Sequence, residues 1–180
     1  MAVHLSREEF RRWTEGKPGR YERIAGEPVA MSPERMVHAR VKSRIWAALD
    51  AAIRKVGLPC EALPDGITVE VDADTDYEPD AIVNCGPPAP DDAIAATNPV
   101  VVVEVLSPFT QSIDLADKLA DYFKVPSIHH YLIVRARRRE VILHSRSGAE
   151  IVSRVINLGS IVLDPPGISI DLADIYPPVG

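Results

Sequence analysis

The sequence has few cysteines, few aromatic residues and no long apolar run, and each shortage argues against a class of protein. Only Cys60 and Cys85 occur among 180 residues, without CxxC or metal-type spacing, so we expect neither a disulfide framework nor a zinc site. No stretch approaches the roughly 20 apolar residues of a membrane helix. No secretory signal is visible at the first residues. We therefore expect a cytoplasmic protein with no membrane partner.

The chain also lacks an excess of positive charge. Its formal net charge is −6 and aromatic residues make up 6% of it, which argues against a general nucleic-acid coat protein. The acidic excess is local, because residues 61–128 contain 14 acidic and two basic residues. A concentrated acidic segment suits divalent cations and repels phosphates unless a cation lies between them.

The pattern of apolar residues predicts one α/β domain over residues 1–180 with a mixed central sheet. We expect helices at 5–15, from the cap Ser32 to Gly57, and at about 112–124. A hairpin is expected at 21–31. The remaining strands are predicted at 67–71, 80–85, 100–106, 130–134, 140–144, 151–156 and 160–163. Nearly continuous apolar runs on both sides of the third helix indicate buried strands joined by a right-handed crossover.

Glu104 is the most informative residue, because it interrupts an otherwise apolar run of seven residues, 100–106. A lone ionised carboxylate in a buried strand is costly, so such a group is normally paired, protonated or metal-bound. A second acid, Asp80, begins another short apolar strand directly after Pro79. Two inward-facing acids on neighbouring strands predict the start of a divalent-metal site.

The helix after Glu104 adds a basic residue. Asp114, Lys118 and Tyr122 follow one another at intervals of four residues and share one face. The apolar face is predicted to consist of Ile113, Ala116, Leu119 and Phe123. Lys118 would then lie at the edge of the buried face and reach the acidic site by its flexible stem. The spacing alone is more typical of an Asp114–Lys118 surface ion pair.

These motifs together resemble the Uma-type endonuclease family of the PD-(D/E)xK nuclease superfamily. The resemblance rests on Pro79-Asp80, on Glu104-Val105-Leu106 and on Lys118 in the next helix, with flanking similarity in 21–27 and around Met31-Ser32-Pro33. It implies a restriction-endonuclease-like mixed sheet flanked by helices, with an added N-terminal helix and hairpin and added C-terminal strands. It also implies that Asp80 and Glu104 bind Mg²⁺, with Mn²⁺ as a substitute, and that Lys118 is catalytic.

The resemblance draws in further residues whose roles stay open. Glu27 is either a third acid of the site or an ordinary turn residue, and His38 is either a ligand or a structural histidine. Glu22 is expected to be a charge on the hairpin face. Asp114 and Tyr122 share the face of Lys118, and Gln111 is a candidate phosphate contact.

Two functions follow from these expectations. The first is a Mg²⁺-dependent endonuclease that hydrolyses DNA, which we expect to be a homodimer because cutting two strands requires two sites. The alternative is a non-catalytic nucleic-acid-binding or assembly module that keeps the nuclease fold. A buried set of two acids and a lysine favours the first, since a purely structural module has no reason to retain it.

Overall fold

The computed structural model describes residues 3–106 and 115–176. Its helices are α1 (Arg7–Thr14), α2 (Met36–Val56), α3 (Leu115–Tyr122) and α4 (Leu172–Ile175). No helix in these two segments is both long enough and apolar enough to span a membrane.

A six-stranded mixed sheet forms the centre of the molecule, in the order β10-β9-β8-β7-β6-β3. Neighbours are antiparallel except β7 and β8, which are parallel and are joined through α3. The strands are β3 (Cys60–Pro64), β6 (Ala81–Cys85), β7 (Pro99–Leu106), β8 (His130–Arg135), β9 (Val141–Ser147) and β10 (Glu150–Ile156). This arrangement confirms the predicted α/β fold and its two central apolar strands.

The apolar runs of β6, β7 and β8 are buried because both faces of the sheet are covered. On one face, Val101, Val103 and Leu132 pack in a core with α2, α4 and the C-terminal strands. On the other, Val102 and Ile133 join a second core. That second core contains the aromatic side chains Tyr77, Tyr122 and Tyr131. Alternate residues of one strand therefore belong to two different cores.

Two smaller sheets flank the central one. The N-terminal sheet has the order β2-β1-β5-β4 and contains the expected hairpin. A C-terminal hairpin pairs two further strands, the second of which the sequence pattern did not predict. The strands of these sheets are β1 (Tyr21–Ile24), β2 (Glu27–Ala30), β4 (Val69–Glu70), β5 (Asp76–Tyr77), β11 (Ser160–Leu163) and β12 (Ile168–Asp171). The predicted strand at 67–71 is thus reduced to two residues.

Helix α2 begins later than its sequence suggests. The expected cap Ser32 is wrong, because Arg35 is the N-cap and residues 31–35 are not helical. The end is confirmed, since Gly57 takes a left-handed conformation (φ 72°) and donates its backbone N–H to Ile53. The displaced start leaves Ser32 and Glu34 lining an open groove beside the sheet.

The two cysteines correct another expectation. Cys60 and Cys85 form a disulfide between β3 and β6, where they are directly opposite in the register. The pairing depends on two strands that are 25 residues apart in the chain. It could not be deduced from the spacing of the cysteines alone.

Candidate functional site

The two predicted acids lie across from each other on neighbouring strands. β6 and β7 are antiparallel with Ala81 opposite Val103, so Asp80, one residue earlier, lies opposite Glu104. The backbone N–H of Asp80 donates to the Val103 carbonyl at 2.8 Å. One Asp80 carboxylate oxygen accepts the backbone N–H of Val105 at 2.6 Å. Both acids are at most 9% exposed, so the site is partly built from backbone groups of the same two strands.

Lys118 contacts the site directly. Its ammonium donates to Glu104 at 2.8 Å and to Glu22 at 3.0 Å. The hydroxyl of Tyr122, one turn later on α3, donates to the same Glu104 oxygen at 2.7 Å. All four side chains are buried. Glu22 was expected to be a surface charge of the hairpin, and the structure corrects this, because Glu22 is buried and contacts Lys118 of α3.

The orientation of α3 differs from the prediction. Lys118 and Tyr122 are its buried residues, whereas Ala116 is exposed and Leu119 is half-buried. Lys118 therefore lies at the centre of the buried face and not at its edge. The reason is electrostatic, since two carboxylates at that depth stabilise an ammonium that an apolar surface would exclude.

Burial and charge shift the pKa values of this cluster in a consistent way. Burial raises the pKa of Glu104 to about 7, against the attraction of Lys118 and together with repulsion from Asp80 and Glu22. Burial alone would lower the pKa of Lys118, but Glu104 and Glu22 outweigh it and raise that pKa above its ordinary value. Lys118 is therefore charged, while Glu104 can hold or release a proton near neutral pH.

A second cluster surrounds Asp80 from the side of α2. Lys42 lies 3.3 Å from Asp80 and also contacts Glu34 at 2.9 Å and Asp65 at 2.6 Å. His38 contacts Glu34 at 2.7 Å, the Val105 carbonyl at 2.6 Å and Asp80 at 3.5 Å. Burial lowers the pKa of His38, but Asp80 and its other partners outweigh this and raise it to about 9.

Sequence reasoning missed most of this second cluster. His38 and Lys42 are spaced by four residues within α2, which is the signal that could have placed them on one face. Glu34 precedes the helix, so helical spacing does not place it there, although it contacts both residues. Asp65 carried no signal, since it reaches Lys42 from the loop after β3.

The remaining candidates are scattered. Glu27 is exposed at the hairpin turn opposite Ile24, away from the contacts of Lys118. Gln111 and Asp114 lie outside the described residues. Tyr122 is in the site through its hydroxyl. The structure thus brings together Asp80, Glu104, Lys118, His38 and Tyr122, and it adds Glu22 and Lys42.

A small cavity of about 100 Å³ lies within this cluster and opens to the surface. Its charged lining residues are Glu22, His38, Asp80, Glu104 and Lys118. Tyr131 also lines it, and in the described chain the Tyr131 hydroxyl is buried without a hydrogen-bond partner. Such a group is costly unless something binds it. A second, larger groove of about 670 Å³ shares His38 and Asp80 and continues past Arg20 and Arg35.

Comparisons with known proteins identify the family and the fold of this chain. A family model described as "Putative restriction endonuclease" matches residues 7–173. An uncharacterised protein of Synechocystis sp. is 28% identical over 144 residues, which covers 79% of this chain and 75% of that protein.

A crystal structure titled as a putative nuclease belonging to DUF820, from Anabaena variabilis, superposes with a TM-score of 0.71. The match covers 96% of this chain and 97% of that one at 13% identity, and it shows that the two share a fold. The mixed sheet and its flanking helices are therefore a restriction-endonuclease-like fold. Because the family model spans nearly the whole sequence, the chain belongs to the Uma2 family of restriction-endonuclease-like proteins.

Proposed function

We propose that this protein is a metal-dependent endonuclease that hydrolyses phosphodiester bonds of DNA. One observation carries the proposal: a buried lysine, Lys118, contacts Glu104 at 2.8 Å, and Glu104 lies across from a second buried acid, Asp80, at one cavity. Two acids and a lysine in one partly enclosed space are the groups that metal-assisted phosphoryl transfer needs.

The residues fit a hard divalent cation with few protein ligands. In residues 3–106 and 115–176, no group of three or more His, Cys, Asp or Glu side chains is arranged around a common metal position. Mg²⁺ does not require one, because it keeps several waters and often binds one or two carboxylates plus substrate phosphates. Asp80 and Glu104 would supply those carboxylates. The unpartnered Tyr131 hydroxyl at the same cavity supports this, since a bound water or phosphate oxygen would satisfy it.

Each side chain then has a task. A bound Mg²⁺ supplies Lewis-acid polarisation of the phosphate and a more acidic water. Lys118 holds positive charge beside the reacting phosphate and orients the attacking water. Tyr122 holds Glu104 in place by donating its hydroxyl at 2.7 Å, and Glu22 holds Lys118 by accepting a hydrogen bond from its ammonium at 3.0 Å. Asp80 is oriented by the Val105 backbone and by Lys42.

A second candidate is a non-catalytic nucleic-acid-binding or assembly module. The observation that favours it is that both acids are already ion-paired to lysines, Glu104 to Lys118 and Asp80 to Lys42. Such pairs neutralise buried carboxylates without any metal.

Cleavage of supercoiled plasmid DNA in Mg²⁺ or Mn²⁺ separates the two candidates. We expect wild-type protein to produce nicked and linear DNA, and Asp80→Asn to lose at least about 100-fold in rate because it removes a metal-binding charge. Glu27→Gln, a change of an exposed acid, is the matched control and should retain activity. Persistent DNA binding without cleavage in either metal would favour the non-catalytic module.

Tyr131→Phe provides a prediction that separates function from stability. Removing a buried hydroxyl that has no partner should stabilise the fold by about 1 kcal/mol. If the hydroxyl binds a water or phosphate oxygen during the reaction, the same change should lower the cleavage rate. Chemical denaturation and the plasmid assay measure the two effects. A variant that is less stable than wild type would contradict the assignment of an unsatisfied hydroxyl.

A further inference from the structure

Strand β10 is an open edge of the central sheet. It is outermost in the strand order and pairs with β9 over its whole length, from Glu150 to Ile156. In the described chain no strand covers its other side. An open edge presents unpaired backbone N–H and C=O groups, which are a template for pairing with another strand.

The side chains of this edge are apolar and exposed. Val155 is 65% exposed, Val152 43% and Ile151 37%. Six of the seven residues of β10 are exposed, so neither face of the strand is covered. β-branched residues on a long open edge favour strand pairing.

The two charges of the strand, Glu150 and Arg154, are arranged symmetrically about Val152. All three side chains lie on one face, because they are two residues apart. Neither charged residue forms an ion pair within residues 3–106 and 115–176. Both are therefore available to a partner.

We infer that β10 pairs antiparallel with β10 of a second copy of this chain, on a two-fold axis through Val152. In this register Glu150 of each copy lies opposite Arg154 of the other, and the two Val152 side chains meet at the axis. Opposite charges and apolar pairs that face each other across strands are stabilising. A register shifted to Ser153 would place Glu150 opposite Ile156 and leave both charges without a partner.

The pairing joins two six-stranded sheets into one continuous sheet. It leaves the candidate site accessible, because β8 and β9 separate β10 from the strand of Glu104. The interface is isologous, as expected for a two-fold dimer. The interface does not depend on nuclease activity. A dimer that does not cleave DNA would contradict the proposed function alone. A monomer that cleaves DNA would contradict the proposed interface alone.

A charge exchange tests the interface and its register. Sedimentation velocity at concentrations up to roughly 100 µM, above the micromolar range of weak complexes, should show wild-type dimers. Arg154→Glu and Glu150→Arg should each raise the dimer dissociation constant at least about tenfold, because each creates like charges across the axis twice. The double variant Arg154→Glu/Glu150→Arg should restore the wild-type dissociation constant, because opposite charges again face each other across the axis. A monomeric wild type, or a dimer indifferent to both changes, would overturn the inference.

A cross-link locates the axis independently. Val152→Cys should form disulfide-linked dimers on mild oxidation, since residues opposite each other across strands have Cα separations within disulfide range. Val162→Cys is the matched control, because Val162 is 59% exposed but lies in the separate C-terminal hairpin. Equal cross-linking of the two variants would show random collision and contradict the proposed axis.

Discussion

Replacing Glu104 with glutamine should reduce Mg²⁺-dependent DNA cleavage by at least about 100-fold, because it removes a charge that the proposed cation requires. The fold should survive the change. Glutamine keeps an acceptor for the Lys118 ammonium at 2.8 Å and for the Tyr122 hydroxyl at 2.7 Å. Lys118 also retains Glu22 as a charged partner at 3.0 Å.

The pH dependence of stability gives Glu104→Gln a second readout. Burial raises the pKa of Glu104 to about 7, above the value of about 4.3 for a solvated glutamate. A raised carboxyl pKa means that the folded wild type loses stability as pH rises through this window, since the buried acid must ionise. The glutamine variant lacks this loss. Its stability relative to wild type should therefore increase from about pH 4.5 to pH 7 and then level off.

Denaturant unfolding at several pH values, beside the plasmid assay, measures both effects. Glu27→Gln again serves as the control, because Glu27 is exposed and should change neither. A glutamine variant that cleaves DNA at the wild-type rate would remove Glu104 from the reaction. One whose stability falls relative to wild type as pH rises would contradict the raised pKa.

The central sheet was predictable because two of its strands consist almost entirely of apolar residues. Residues 100–106 and 130–134 are β-branched or apolar almost throughout, and only a strand covered on both faces suits such a run. Glu104 was recognisable for the same reason, as the single charge in a buried strand. Asp80 followed from its place at the start of the next apolar strand.

The surroundings of these acids were less predictable because they depend on contacts between distant segments. Nothing local distinguishes Glu22, which is buried at 3% exposure, from Glu27, which is exposed on the same hairpin. The difference arises from the contact between Glu22 and Lys118 of α3, which are 96 positions apart. The Cys60–Cys85 disulfide was missed for a similar reason, since it requires β3 to pair with β6.

Helix α2 illustrates a local signal that was misinterpreted. Ser32, Pro33 and Glu34 have the composition of a helix start, yet the helix begins at Met36. Glu34 instead contacts both His38 and Lys42. His38 and Lys42 in turn contact Asp80, and the capping preference that the local sequence suggested is worth only about 1 kcal/mol. Departures from local preference next to a candidate site are themselves a functional signal.

Replacing Lys118 with methionine should have the largest effect on stability of any change at this site. Methionine matches the length of the lysine stem but leaves Glu104 and Glu22 buried without their shared cation. Removing one partner of a buried ion pair typically costs about 3–5 kcal/mol. The double variant Lys118→Met/Glu104→Gln should recover part of this cost, because Glu22 is then the one remaining carboxylate that has lost Lys118 as its partner.

The stability loss of Lys118→Met should depend on pH and on metal. Without Lys118 the pKa of Glu104 is held up by burial and by repulsion from Asp80 and Glu22. Protonated Glu104 needs no cation, and the loss of Lys118 raises the pKa of Glu104 above its wild-type value of about 7. The stability loss should therefore shrink as pH falls from alkaline values toward about 7 and change little below it. A bound Mn²⁺ supplies a positive charge at the same acids. It should therefore raise the melting temperature of the variant more than that of wild type.

Lys118→Met should reduce the rate of DNA cleavage much more than the affinity for Mn²⁺. If Lys118 orients the water and stabilises the reacting phosphate, its loss should slow cleavage by about 10²- to 10⁴-fold, while the Mn²⁺ affinity changes far less. Assays run well below the melting temperature of the variant, with Mn²⁺ affinity measured by calorimetry, keep these effects apart. Lys118→Arg, which retains the charge, should restore more stability than activity, because the planar guanidinium cannot reproduce the point contacts to Glu104 and Glu22. A methionine variant that cleaves DNA at the wild-type rate would exclude Lys118 from the reaction, and one as stable as wild type at pH 8 would show that its two ion pairs do not support the fold.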